Sequence, residues 1–150
     1  MNILVTGPDG VLGSNLVREL LSRGFVVSVF LEKGSKSKTL EGLSVKRFYG
    51  NILNPEEVDL AVKGSDVVVH GAASTSVFPA RNPLVKRVNV GGTKVLIDAA
   101  LKHRVQRFIF IGTANSFAFG SEACPGREGG EYKSIKYGLD YMDSKKEAQE

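Results

Sequence analysis

Eight residues near the start of the chain constrain its fold more than any other feature. Thr6-Gly7-Pro8-Asp9-Gly10-Val11-Leu12-Gly13 follows the short apolar segment Asn2–Thr6 and opens a segment of helical periodicity that runs from Leu12 to Arg23. Glycines at this spacing allow a tight turn from a strand into a helix, close approach of the backbone to a ligand, and close packing of the helix on a sheet. The N–H groups that open such a helix attract a pyrophosphate. The turn therefore predicts a buried strand, a helix and a dinucleotide site between them.

Strand and helix patterns alternate along the rest of the chain. Further buried strands are predicted at Phe25–Leu31, Leu43–Phe48, Val67–Val69 and Phe108–Ile111, and helices from Asn54 to about Gly64, from Asn82 to about His103 and from about Tyr137 onward. Asn54-Pro55 and Asn82-Pro83 each place a capping side chain before a first-turn proline. Short apolar strands joined by helices predict an α/β fold with a doubly wound (Rossmann) parallel sheet of about five strands. Residues 1–150 are therefore expected to form a dinucleotide-binding domain.

Composition narrows the class of protein further. The 150 residues carry a net charge of +4 and are 42% hydrophobic, which is ordinary for one globular domain. The basic residues are spread along the chain, apart from Lys33, Lys36 and Lys38, so we expect no nucleic-acid partner. No apolar run is long enough to span a membrane, so no membrane partner is expected. The single cysteine, Cys124, excludes an internal disulfide and favours a cytoplasmic location.

Polar residues follow the predicted strands at the edge where a doubly wound sheet binds its ligand. Glu32 ends the second strand, where a carboxylate accepts the ribose hydroxyls of NAD and repels the 2′-phosphate of NADP. The lysines that follow Glu32 favour NADP instead, so the predicted cofactor is NAD or NADP, with a preference for NAD. Asn51-Ile52 follows the third strand, where the amide either bonds the adenine or forms an Asx turn before Pro55.

A second group of residues predicts acid–base chemistry. Tyr141 and Lys145 are four residues apart in the last predicted helix, so they share one face. An ammonium beside a phenol favours the phenolate, and such a pair can exchange a proton with a carbonyl or an alcohol while hydride moves to or from a nicotinamide. Tyr132 and Lys136 have the same spacing, but they lie in a Gly-rich stretch without an apolar face and are rejected.

A hydroxyl group is also expected near the reacting oxygen. Thr113 follows the fifth strand, where its hydroxyl can hydrogen-bond and orient a substrate oxygen. Ser116 is a rival for the same role. His70 is expected to pack at a strand end, and no spacing of Cys, His or Asp residues suggests a metal site.

Five motifs, taken together, resemble those of the extended short-chain dehydrogenases/reductases, the NAD-dependent epimerase/dehydratase family. In chain order they are Thr6–Gly13, His70-Gly71-Ala72-Ala73-Ser74, Asn89-Val90-Gly91-Gly92-Thr93, Arg107-Phe108-Ile109-Phe110 and Tyr141-x-x-Ser144-Lys145. The spacing around Val88–Thr93 and the segment Phe117-Ala118-Phe119-Gly120 are most similar to dihydroflavonol-reductase-like members.

The resemblance implies a role for most of the candidate residues. The catalytic candidates are Tyr141 as acid/base, Lys145 as its partner and Thr113 as the orienting hydroxyl. The cofactor-binding candidates are Gly7, Asp9, Gly10, Val11, Leu12, Gly13, Glu32, Asn51, Ile52, Ala72, Ala73, Tyr141 and Lys145. Asn89 is expected to organise the helix that carries Tyr141. The resemblance also implies a homodimer through the helices at 83–103 and 137–150.

The sequence departs from the family pattern at several positions. Glu32 stands where many reductases carry an arginine, Asn51 replaces a usual aspartate, and the segment 113–120 is longer than in sugar epimerases. Family members are also longer, so we expect the last strands and the C-terminal substrate domain to be absent. The expected function is an NAD(P)-dependent oxidoreductase that interconverts a ketone and a secondary alcohol of a small-molecule substrate. The alternatives are an epimerase or dehydratase acting on a sugar-type substrate, or a dinucleotide-binding regulator without catalysis.

Overall fold

Five short strands form one parallel sheet with β1 at its centre. The strands are β1 (Asn2–Thr6), β2 (Val26–Glu32), β3 (Lys46–Gly50), β4 (Val67–His70) and β5 (Arg107–Phe110). Their order across the sheet is β3-β2-β1-β4-β5, so the chain steps outward from β1 on one side and then returns to its other side. The computed structural model describes residues 1–117 and 119–150. Within them, the predicted doubly wound parallel sheet of five strands is confirmed.

Two helices begin where the capping signals at Asn54 and Asn82 predict. They are α1 (Val11–Ser22), α2 (Pro55–Val62), α3 (Pro83–Lys86), α4 (Gly92–Lys102) and α5 (Asp140–Gln149), with short 3₁₀ turns at Lys38–Leu40, Ala114–Ser116 and Ser134–Tyr137. The Asn54 side chain accepts the N–H groups of Glu56 and Glu57, and the Asn82 side chain accepts the N–H of Leu84. Among residues 1–117 and 119–150, no helix combines the length and apolar character needed to cross a membrane.

The chain divides into two compact units. The first, which we call the sheet unit, comprises Met1–Ala72 and Gly92–Ile111 and holds all five strands with α1, α2 and α4. The second, which we call the helical unit, comprises Ala73–Gly91 and Gly112–Glu150 and holds α3 and α5.

Both faces of the three inner strands, β2, β1 and β4, are largely buried in the sheet unit. Successive residues of β1 point to opposite faces, so Ile3 and Val5 belong to one apolar layer and Leu4 to the other. The layer that includes Val17 of α1 contains Ile3, Val5, Val27, Val29, Leu31, Leu40, Val67 and Val69. The layer formed with α2 and α4 contains Leu4, Phe30, Val58, Ala61, Val62, Val68, Leu96 and Ala99. This two-sided burial explains why the strands read as continuous apolar runs.

Three predicted boundaries are wrong. The single helix predicted from Asn82 to His103 is interrupted by a π-helical turn at Arg87–Gly91, just before Gly92 opens α4. The last helix begins at Asp140 rather than near Tyr137, because Gly138 has a left-handed conformation (φ 61°) that ends the preceding 3₁₀ turn. The third strand lies at Lys46–Gly50 rather than Leu43–Phe48, since its register follows β2. Ala118, part of the predicted segment 117–120, lies outside the described residues.

Candidate coenzyme and acid–base sites

The glycine turn joins β1 to α1 in the sheet unit and packs against the end of β4. Gly7 has φ +69°, and a Cβ there would lie 2.7 Å from the backbone nitrogen of Ala72. A Cβ on Gly13 would lie only 2.1 Å from the carbonyl oxygen of Gly7. Only glycine therefore lets the turn close and the helix lie against it.

Gly10 leaves the opening of α1 accessible. It is the N-cap of that helix, with extended backbone (φ −73°, ψ 168°), and it has no side chain to occupy the first helical amides. A cleft of about 190 Å³ lies beside it, lined by residues that include Thr6, Gly7, Gly13 and Gly71. Helix-opening amides beside a cleft that is bordered by glycines suit an anionic group that comes close to the main chain. The residues present therefore fit the pyrophosphate of a dinucleotide.

A buried polar chain supports the β4 side of this turn. The Thr6 hydroxyl accepts the N–H of Ala72 at 3.1 Å and hydrogen-bonds Nδ1 of His70 at 2.7 Å. The other ring nitrogen of His70, Nε2, hydrogen-bonds the Thr93 hydroxyl on α4 at 2.9 Å. His70 is 1% exposed, so it packs at a strand end as predicted, with a polar partner on each side of its ring.

Asp9 connects the glycine turn to the loop after β2. Its carboxylate accepts the Ser35 hydroxyl at 2.8 Å, and its carbonyl accepts the Thr39 hydroxyl at 3.2 Å. Glu32 is the last residue of β2, the strand next to β1, and it is exposed. The structure thus brings Asp9 and Glu32 to the edge of the sheet that carries the glycine turn.

Asn51 forms the Asx turn that sequence analysis weighed as one of two alternatives. Its side-chain oxygen accepts the N–H of Leu53 at 2.9 Å, and its own N–H donates to Glu57 at 2.6 Å. Ile52 packs against α4, since a Cβ on Gly92 would lie 2.9 Å from its side chain. The backbone that follows β3 is therefore fixed by hydrogen bonds on both sides of Asn51.

The helical unit carries the predicted acid–base pair on α5. Tyr141 is partly exposed and lies in the first turn of the helix, whereas Lys145, one turn later, is 4% exposed. Burial lowers the pKa of the Lys145 ammonium. A titratable group whose pKa is shifted by burial marks a candidate functional site.

Asn89, in the π-helical turn, contacts both α5 and the segment after β4. Its side-chain amide nitrogen donates to the Ser144 hydroxyl at 2.9 Å and to the Ser74 carbonyl at 3.0 Å, and its oxygen accepts the Ser74 N–H at 2.8 Å. The bulge in the helix turns this buried side chain inward. Ala73, a predicted cofactor contact, directly precedes the clamped Ser74.

The first turn of α5 is anchored by charge. Arg81 pairs with Asp140 at 2.8 Å and with Asp143 at 3.2 Å, and the Asp140 carboxylate also accepts the N–H of Asn82 at 2.6 Å. The hydrogen bond from Arg81, followed by that from Asn82, lowers the pKa of Asp140. These contacts fix the helix turn that carries Tyr141.

The rejected pair, Tyr132 and Lys136, is engaged elsewhere in the helical unit. The Tyr132 hydroxyl donates to Asp143 at 2.7 Å. Burial, and then this carboxylate, raise the pKa of Tyr132, which keeps the phenol protonated. Lys136 lies over the rings of Phe119 and Tyr137.

The two candidate hydroxyls after β5 differ in their surroundings. Thr113 is partly exposed, and its oxygen accepts the N–H of Asn115 at 3.3 Å, which leaves its proton for another acceptor. Ser116 is 1% exposed and lies within 2.6 Å of the Thr113 carbonyl and 2.9 Å of the Gln149 side-chain oxygen. Exposure and free donor capacity therefore favour Thr113 as the orienting group.

Sequence reasoning assigned no supporting role to three residues that hold these sites in place. Glu57, Arg81 and Thr93 all act through partners that are distant in sequence, and the only signal for Glu57 was its place in a capped first turn. In the described ranges 1–117 and 119–150, no three His, Cys, Asp or Glu side chains are grouped to hold a metal ion.

Comparison with known proteins gives a consistent family. A family model described as the NAD dependent epimerase/dehydratase family matches residues 3–150. Sterol demethylase protein B of Methylococcus capsulatus is 38% identical over 109 residues, which are 73% of this chain and 33% of that protein. Mouse sterol-4-alpha-carboxylate 3-dehydrogenase, decarboxylating, is 32% identical over 136 residues, which are 89% of this chain and 36% of that protein. The chain thus spans about a third of the length of these curated relatives.

Solved structures agree on the fold. The Thermus thermophilus UDP-glucose 4-epimerase, crystallised in complex with NAD, superimposes with a TM-score of 0.76 and 25% sequence identity. The match covers 99% of this chain and 49% of that structure.

Proposed function

Because the chain belongs to the NAD dependent epimerase/dehydratase family, we propose that it carries the coenzyme-binding and acid–base groups of an NAD(P)-dependent oxidoreductase. The proposed reaction interconverts a ketone and a secondary alcohol, with Tyr141 as the acid/base. One observation carries this proposal: Lys145 is buried on α5, one helical turn from the partly exposed Tyr141.

The proposed coenzyme contacts come from the sheet unit. The amides that open α1 at Gly10 bind the pyrophosphate, and the glycine turn lets the main chain approach it. Glu32, at the end of β2, accepts hydrogen bonds from the adenosine ribose. The accessible amides at the start of α1 and the exposed carboxylate of Glu32 support these roles.

The proposed chemistry needs one proton acceptor and one orienting donor. When NAD(P) is bound, its nicotinamide supplies the hydride acceptor or donor. The Tyr141 phenolate takes the proton of the alcohol during oxidation and returns it during reduction. The Lys145 ammonium favours the phenolate form, and the Thr113 hydroxyl donates a hydrogen bond to the substrate oxygen.

Replacement of the proposed acid/base tests this function. Tyr141→Phe is expected to abolish turnover while the dissociation constant of NAD changes little, because the phenol hydroxyl serves the chemical step. Turnover is measured as NADH formation with a panel of secondary alcohols. The panel includes 3β-hydroxysterols, since the Methylococcus and mouse relatives are named for sterol chemistry.

Tyr132→Phe is the matched control, since Tyr132 also precedes a lysine by four residues. That variant is expected to retain turnover. Equal turnover in wild type and Tyr141→Phe would remove Tyr141 from the proposed role.

A second candidate function is that of an epimerase or dehydratase that retains its NAD. The likeness to the Thermus UDP-glucose 4-epimerase favours it. Coenzyme that copurifies with the protein, together with epimerisation of a nucleotide sugar without net NADH release, would identify this second function in place of the first.

A further inference from the structure

Two residues of opposite charge follow each other at the end of β2. Glu32 is the last residue of the strand and Lys33 the next, and both are exposed. In a doubly wound sheet, this position faces the adenosine ribose of a bound dinucleotide. A carboxylate there suits the two ribose hydroxyls of NAD, whereas an ammonium suits the 2′-phosphate of NADP. The balance between Glu32 and Lys33 therefore bears on coenzyme choice.

Glu57, on α2, engages the ammonium of this pair. One carboxylate oxygen accepts a hydrogen bond from Lys33, and the other accepts the N–H of Asn51 at 2.6 Å. The hydrogen bond from Lys33, followed by that from Asn51, lowers the pKa of Glu57. Glu57 is therefore a fixed anion at neutral pH, held by two donors.

The local backbone leaves room for this arrangement. A Cβ on Gly50 would lie 2.9 Å from the Glu57 carboxylate and 2.8 Å from the Phe30 ring, so a side chain there would push Glu57 away from the end of β3. The Asn54 cap fixes the start of α2 by accepting the N–H groups of Glu56 and Glu57. The side chain of Glu57 is 24% exposed, compared with 65% for Lys33, so Glu57 is the more buried partner of the ion pair.

We infer that Glu57 is a specificity-determining residue that favours NAD over NADP. By holding Lys33 in an ion pair, it withdraws the ammonium from a 2′-phosphate and leaves Glu32 as the charge that the ribose meets. This inference rests on the proposed coenzyme site, and it goes beyond that proposal by placing the selectivity on a residue outside β2.

The test compares Glu57→Gln with Glu56→Gln. Glutamine at position 57 keeps an acceptor for the Asn51 N–H but loses the charge that holds Lys33. Glu56 is the matched control, because it is the preceding residue of the same helical turn and is exposed. Calorimetric titration of the whole chain is expected to show NADP binding about three- to five-fold tighter in Glu57→Gln. NAD affinity is expected to stay within about two-fold, and Glu56→Gln is expected to match wild type for both coenzymes.

A second background isolates the role of Lys33. With Lys33→Met present, Glu57→Gln is expected to produce less than half of that gain in NADP affinity, because no ammonium is released. The other lysines of the loop, Lys36 and Lys38, are common to all variants, so their attraction for NADP cancels in the comparison.

The outcomes separate a failure of this inference from a failure of the proposed coenzyme site. Unchanged NADP affinity in Glu57→Gln, with NAD binding intact, would overturn the inference. If neither coenzyme binds wild type, the proposed site fails instead. Should Glu57→Gln not fold, Glu57→Asp shortens the reach to Lys33 while keeping the charge, and it is expected to give a smaller gain in the same direction. No gain in that variant would also overturn the inference.

Discussion

At the residue scale, one hydroxyl group connects the ends of three elements in the sheet unit. Thr6 ends β1, accepts the N–H of Ala72 beyond β4, and hydrogen-bonds His70, which in turn contacts Thr93 on α4. Thr6, His70 and Thr93 are all buried, so each hydrogen bond replaces one that water would otherwise make. The turn around Gly7 is therefore supported by polar contacts as well as by close packing.

Thr6→Val tests the contribution of this hydroxyl. Valine has nearly the same shape, but it removes the acceptor for the Ala72 N–H and a partner of His70. Because two buried groups lose a partner, the free energy of unfolding, measured in urea, is expected to fall by about 2–3 kcal/mol. Thr6→Ser retains the hydroxyl and is expected to lose only about 1 kcal/mol, the value of one buried methyl group. An equal loss in the two variants would contradict the role given to the hydroxyl.

At the element scale, helix boundaries that depend on neighbouring residues were predictable, whereas those that depend on contacts between residues far apart in the sequence were not. The cap-and-proline pairs at Asn54 and Asn82 predicted where helices begin, because a cap acts within one turn of chain. The break at Arg87–Gly91 and the late start of α5 were missed. Asn89 hydrogen-bonds Ser74 and Ser144, and Asp140 pairs with Arg81. These partners are 15 to 59 residues apart in the sequence. Such contacts have no local signature in a single sequence.

The buried lysine of α5 gives a prediction about stability and pH. An unfolded lysine has a pKa of about 10.4, and burial lowers the pKa of Lys145 in the folded chain. Between these two values the unfolded chain binds more protons, so stability rises with pH; below the folded pKa the cost of burying the charge is present in full. Lys145→Met lacks this titrating group, so its stability relative to wild type is expected to fall as pH rises through this range, while turnover is lost at every pH.

Thermal melts of both proteins across pH check this prediction. The stability of the methionine variant, relative to that of wild type, is expected to be greatest near neutral pH and to fall as pH approaches about 10.4. A variant that is less stable than wild type at neutral pH, by a margin that does not change with pH, would contradict it.

At the scale of the whole molecule, the motifs were sufficient to identify the family. The predicted resemblance is confirmed by the family model over residues 3–150, and the predicted NAD(P) cofactor agrees with that family and with the NAD-bound Thermus epimerase structure. Each of the five motifs is a short local pattern that can be recognised in a single sequence. Their order and separations together identify the family. The supporting contacts, such as Thr6 with His70 and Lys33 with Glu57, join residues 64 and 24 positions apart, and only the folded sheet brings them together.

The most direct test of the account is a comparison of coenzyme binding by wild type and Gly10→Val. The Cβ of a residue at position 10 has only an ordinary contact, 3.6 Å from the Gly7 carbonyl oxygen, so the variant is expected to fold with an unchanged Tm in the absence of ligand. Its side chain would occupy the space beside the opening amides of α1. NAD at about 100 times its Kd is expected to stabilise wild type by about 2.7 kcal/mol, seen as a higher Tm, and to leave Gly10→Val unaffected. Equal stabilisation of both proteins, or none of wild type, would contradict the account.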